Sequence, residues 1–303
     1  MLGFFLLFLY AYALLVAGMV AAILWGMNRP RRKTLGVSLG MGGPGDPSDL
    51  GLTGTGATFN LSDGSASPGW IIDGDAPDGP VAVVVHGHRD SRFGSLYRAE
   101  MLRPYVLASV VFDLPGHGDA AAPRCGMGRR EADDVHAVVD GLPAELTAAG
   151  VVLMGYSMGG TFILKAAAAR PERFAGLIVA APYRFWDGGL RGQMKRRRLP
   201  AFPAVPLAGL LLRWIPGLGE PPGFDRAADA AKVTCPLLVL HGDADDVCPL
   251  DAGRAIAEAA PRGELAVIIG GTHNRLLGAD RDAVHGALKR FFEDVAGSPR
   301  VFD

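Results

Sequence analysis

Between residues 57 and 269 the chain repeats one pattern: a short apolar run, a turn signal, then a stretch with amphipathic spacing. Continuous apolar runs of strand length occupy 81–85, 106–112, 151–154, 177–180, 237–240 and 265–269, and an opening pair at 57–61 and 70–72 brackets the turn residues Asp63 and Gly64. Helical spacing lies between them, near 94–103, 129–140, 158–169, 250–259 and 279–294. Strands apolar on both faces and alternating with helices require a mostly parallel central sheet covered on both sides, so the predicted fold class is α/β. In such sheets ligands bind beyond the carboxyl ends of the strands, and reactive residues are expected just after each run.

The first 28 residues obey a different rule. No charged side chain interrupts them, and Leu, Phe, Ala and Val dominate. About 25 such residues, rising 1.5 Å each, exceed the roughly 30 Å of a bilayer core. Residues 1–28 are therefore read as a transmembrane helix. The competing reading is a signal cleaved on secretion, but no basic segment precedes the run, which is also longer than an ordinary signal core. Arg29, Arg31, Arg32 and Lys33 follow at once, and the positive-inside rule puts the remainder on the cytoplasmic side. Residues 29–54, a basic flank and then a Gly-rich stretch with Pro44 and Pro47, are expected to be a flexible tether.

Composition narrows the partners. Apolar residues form 49% of the 303 and charged residues 20%, enough for a sizeable core, and the net charge of −1 offers no general attraction for a nucleic-acid backbone. Cys125, Cys235 and Cys248 are odd in number and widely spaced, so they read as buried fillers compatible with a reducing compartment.

The G-x-S-x-G pattern occurs twice. Around Ser38 it lies in the expected tether, with no strand before it and no helix after it. Around Ser157 it directly follows the apolar run at 151–154 and opens the helical spacing of 158–169. A serine exposed on so sharp a turn needs small neighbours, here Gly155 and Gly159, and sits where helix amides can stabilise negative charge. Later strand ends carry His241-Gly242-Asp243-Ala244-Asp245-Asp246 and Gly271-Thr272-His273.

With His86-Gly87 after the third run and Asp113-Leu114-Pro115-Gly116-His117-Gly118 after the fourth, these landmarks make residues 55–295 resemble the α/β-hydrolase superfamily. The likeness is greatest to its serine aminopeptidase-like and monoacylglycerol-lipase-like branches. The resemblance implies Ser157 as nucleophile, His273 as general base and Asp245 as the acid that orients it, with the backbone N–H groups of His88 and Met158 as the oxyanion hole. It implies neither a cofactor nor a metal. A rival reading takes His86, His88 and Asp90 as the start of a zinc site, but Ser91 stands where a further ligand is needed and the later strand ends supply no matching set.

The implied domain plan is a catalytic unit of residues 55–182 and 233–296 interrupted by a lid at 183–232. That insertion holds nine Lys or Arg against four Asp or Glu, beside the apolar stretch 207–215. It suits either a membrane interface or a lid packed on its own domain. The expected activity is hydrolysis of a carboxylic ester, and the anchor together with the basic insertion favours a lipophilic substrate. The same triad serves peptidases and thioesterases, and a tethered binding protein without turnover is the alternative of another class. The expected partners are a small acyl substrate and the bilayer, with no obligate protein partner evident.

Overall fold

Five successive strands are buried on both faces, which is why they appear as largely apolar runs: β3 (Val81–Val85), β4 (Ala108–Phe112), β5 (Val151–Tyr156), β6 (Gly176–Ala180) and β7 (Leu237–Gly242). β1 (Gly54–Asn60) and β2 (Ala66–Asp73) precede them, and β8 (Gly263–Ile268) follows. The sheet order is β1-β2-β4-β3-β5-β6-β7-β8. β1 and β2 pair antiparallel, as do β2 and β4, and the remaining neighbours are parallel. This computed structural model describes residues 1–128, 130–212, 214 and 224–298.

The helices are α1 (Leu2–Asn28), α2 (Leu35–Gly40), α3 (Arg92–Leu102), α4 (Glu131–Asp140), α5 (Ala144–Thr147), α6 (Met158–Ala169), α7 (Gly188–Arg196), α8 (Ala204–Leu212), α9 (Arg226–Ala230), α10 (Leu250–Ala259), α11 (Leu276–Ala279) and α12 (Arg281–Gly297). Strand alternation divides the interior in two. Val81, Val83 and Val85 join Val135 and Val138 of α4, Phe162 of α6 and Ile256 of α10 on one face. Ala82 and Val84 join Leu96 of α3 and Leu288 and Phe291 of α12 on the other.

α1 is long and apolar enough to cross a bilayer, and its first half stands clear of the domain, with Phe4 82% exposed. Its second half does not. Val16 and Val20 pack against Ala204 and Ala208 of α8, whose small side chains permit close approach, with Trp186 alongside. The buried Asn28 side chain donates to the Cys125 carbonyl at 2.8 Å, and the Cys125 amide donates back to the Asn28 carbonyl at 2.9 Å.

Residues 29–54, expected as a flexible tether, are instead folded down. Arg32 donates to the carbonyls of Ala120 at 2.8 Å and Ala122 at 2.9 Å, and Lys33 pairs with Asp90 at 3.2 Å. Ser38 is buried in α2 and donates to the Pro44 carbonyl at 2.7 Å. The physical reason is that the glycines here leave the backbone free to turn, while basic side chains find backbone and carboxylate acceptors far along the chain. Between β6 and β7 the strand-helix rhythm is interrupted by α7, α8 and α9. Of the expected apolar stretch 207–215, positions 213 and 215 lie outside the described residues.

Candidate active site

The turn from β5 into α6 holds Ser157 at φ 51° and ψ −113°, a left-handed conformation that a residue with a side chain adopts only under constraint. The two glycines supply that constraint by letting backbones meet. A Cβ on Gly155 would stand 2.5 Å from the Gly159 carbonyl oxygen, and one on Gly159 would stand 2.2 Å from that of Val85. Gly159→Ala is accordingly expected to lower unfolding stability by about 3 kcal/mol, read as a lower urea midpoint. An unchanged midpoint would mean the elbow can relax.

Ser157 faces the carboxyl end of β8. His273 Nε2 lies 3.1 Å from Ser157 Oγ, and His273 Nδ1 lies 2.8 Å from Asp245 Oδ2. Asp245 is enclosed, and its other oxygen accepts from the amides of Val247 and Cys248, each at 2.8 Å. Burial pushes its pKa up, but the His273 hydrogen bond and these amides outweigh burial and hold it below the usual value. An ionised carboxylate only accepts, so His273 Nδ1 carries the proton and Nε2 is left to accept from the serine hydroxyl. Asp243 instead accepts from the Gly270 amide at 2.7 Å, and Asp246 pairs with Arg196 at 3.1 Å.

The turn after β3 closes the other side, where a methyl on Gly87 would lie 3.5 Å from Ser157 Cβ. His88 and Met158 stand at this junction, the latter at the first position of α6, where a helix amide has no partner of its own. Of the three side chains in the zinc reading, His86 and Asp90 are otherwise engaged. His86 is fully buried, with Nδ1 2.8 Å from the Gly87 carbonyl and Nε2 accepting from the Leu114 amide at 3.0 Å. Asp90 binds Arg98 at 3.1 Å and Lys33 at 3.2 Å. Burial raises its pKa, but those two cations prevail and hold it at about 2. Burial lowers the pKa of His88 to about 4, so its ring is neutral near pH 7.

Three neighbours of the site escaped the sequence reading. The Tyr156 hydroxyl donates to the His273 backbone carbonyl, while Arg98 lies over the Tyr156 ring, 4.3 Å from its centre. The Cys248 thiol reaches the Ser157 hydroxyl, and burial, then the Asp245 charge, push its pKa well above the ordinary value. Third, the open cavity of about 1670 Å³ that contains Ser157 and His273 is lined in part by α1, from Met19 to Met27. The first two carry a weak signal, since both are near neighbours of motif residues. The third carries none.

Known proteins agree with this architecture. Over 257 residues the chain is 28% identical to a pimeloyl-[acyl-carrier protein] methyl ester esterase of Chromobacterium violaceum, covering 72% of this chain and 96% of that one. It is 24% identical to the uncharacterized protein YqkD of Bacillus subtilis, covering 71% and 72%. The fold matches an esterase of Pyrococcus furiosus with a TM-score of 0.68 at 19% identity, over 88% of this chain and 97% of that one. A family model described as the alpha/beta hydrolase family matches residues 82–287, and the chain belongs to that family.

Proposed function

We propose that the chain is a membrane-anchored serine esterase. The observation that carries this reading is the relay of hydrogen bonds from Ser157 through His273 to Asp245 at the sheet's carboxyl edge. As Ser157 Oγ attacks an ester carbonyl, its proton passes to His273 Nε2, and Asp245 stabilises the imidazolium. The oxyanion is received by the N–H groups of His88 and Met158. The ester's C–O bond then breaks, and His273 returns the proton to the departing alkoxide. Water, activated by the same imidazole, releases the acid from the acyl-serine. Ester cleavage, rather than amide or thioester cleavage, is supported by the C. violaceum relative, whose name specifies a methyl ester.

Anchoring is supported by the exposed apolar half of α1, and the cations after it support, by the positive-inside rule, a catalytic domain on the cytoplasmic side. The insertion between β6 and β7 serves as a lid. The test is treatment of the detergent-solubilised chain with a fluorophosphonate, followed by mass spectrometry of its peptides. The adduct is expected on the peptide containing Ser157 and not on that containing Ser38. A cooperatively folded chain that takes up no probe would point to a tethered binding protein.

A further inference from the structure

The wall of the cavity beside Ser157 is partly built by the helix expected to lie in the bilayer. Met19, Ala22, Ile23, Gly26 and Met27 of α1 line the same space as Ser157 and His273. Along the helix axis, Met19 to Met27 covers about 12 Å, most of one leaflet's roughly 15 Å of hydrocarbon. α8, packed against this part of α1, turns Leu207, Leu210 and Leu211 outward, and Phe202 just before it is 77% exposed. With α1 inserted in a bilayer, the cavity would border lipid.

Its lining has two chemistries. Seven of the chain's nine methionines line it, all but Met1 and Met154. Unbranched, polarizable side chains of this kind adapt to a flexible apolar ligand. The polar part is strongly basic. Its carboxylates, Asp90 and Glu100, are already matched by Lys33, Arg98 and Arg281, whereas Arg31, Arg89, Arg197 and Arg275 pair with no carboxylate among the described residues. Guanidinium groups at the mouth of an apolar cavity suit a phosphate or carboxylate head group.

The geometry points to an anionic, long-chain acyl lipid as the substrate, entering sideways from the adjoining leaflet past the α1 wall of the cavity. Its acyl chain lies along the methionine wall and its head group meets the arginines. This rests on the serine-esterase reading above and deepens it. Ser157 Oγ bonds to the acyl carbon, the ester C–O bond breaks, and the head-group alcohol leaves with the proton that His273 took from the serine. Water then frees the fatty acid.

The test compares 1-oleoyl-lysophosphatidylglycerol with 1-oleoylglycerol, an uncharged lipid with the same acyl ester. The full-length chain is used in neutral-detergent micelles, with p-nitrophenyl acetate as a short soluble ester. The expected kcat/KM is about tenfold or more higher for the anionic lipid. Combining Arg31→Gln, Arg197→Gln and Arg275→Gln should bring that ratio to within about twofold of unity, whereas the distant Lys289→Gln should preserve it. Ala22→Trp, which fills the α1 wall, should raise KM for the oleoyl lipids about tenfold relative to acetate. Equal kcat/KM for both lipids, or a triple variant that keeps the wild-type ratio, would overturn the inference while acetate turnover upholds the esterase reading. Faster cleavage of a carrier-protein-bound acyl methyl ester than of either lipid would also overturn it, in favour of a protein-borne chain. If acetate is not cleaved and no fluorophosphonate adduct forms, the underlying reading itself falls.

Discussion

Ser157→Ala is expected to lower kcat for p-nitrophenyl butyrate by about 10⁶, because loss of the nucleophile removes the covalent pathway and leaves its base and oxyanion donors without an alcohol to activate. The change deletes one oxygen and keeps the Cβ, so the left-handed turn at φ 51° persists. A melting curve like that of the parent would separate lost chemistry from lost structure. Ser38→Ala supplies the contrast. That hydroxyl is bonded to the Pro44 carbonyl within its own segment, and its removal is expected to leave turnover near the parent rate. A Ser157→Ala protein retaining more than about a hundredth of the activity would mean that another group attacks.

Asp245→Asn is expected to cost about 10⁴ in kcat, and the reason is local. One oxygen of Asp245 accepts from two amides, those of Val247 and Cys248. An asparagine must keep its carbonyl oxygen there, which turns its NH2 toward His273 Nδ1. The imidazole then has to accept at Nδ1 and hold its proton on Nε2, so it can no longer take one from Ser157 3.1 Å away. Asp243→Asn and Asp246→Asn, whose carboxylates bond Gly270 and Arg196, should retain near-parent rates. Comparable losses at all three positions would show that loop structure, not the tautomer of His273, was being measured.

The central strands were legible because burial on both faces removes polar residues from them, as in Val81–Val85, where the expected and observed limits coincide. β1 and β2 were found with shorter limits. Their exposed positions and Pro68 dilute the apolar signal. α7, α8 and α9 lacked a clear reading, being short helices in a segment whose partners lie elsewhere in the chain. The positions of Ser157 and His273 could be read because each follows a strand. That the last turns of α1 would reach the same cavity could not, since hydropathy reports a preference for lipid and says nothing of contacts such as Asn28 with Cys125, 97 residues away.

That junction has a kinetic consequence. Asn28 and Arg32 lock the end of α1 to the loop of residues 118–125, so a chain held in a bilayer by α1 cannot swing its catalytic centre through the aqueous phase. Anchored in that way, the chain would search a two-dimensional film at fixed height. Its encounter rate would then follow the mole fraction of substrate among the surrounding lipids, and inert lipid would act as a diluent even at an unchanged bulk concentration of substrate.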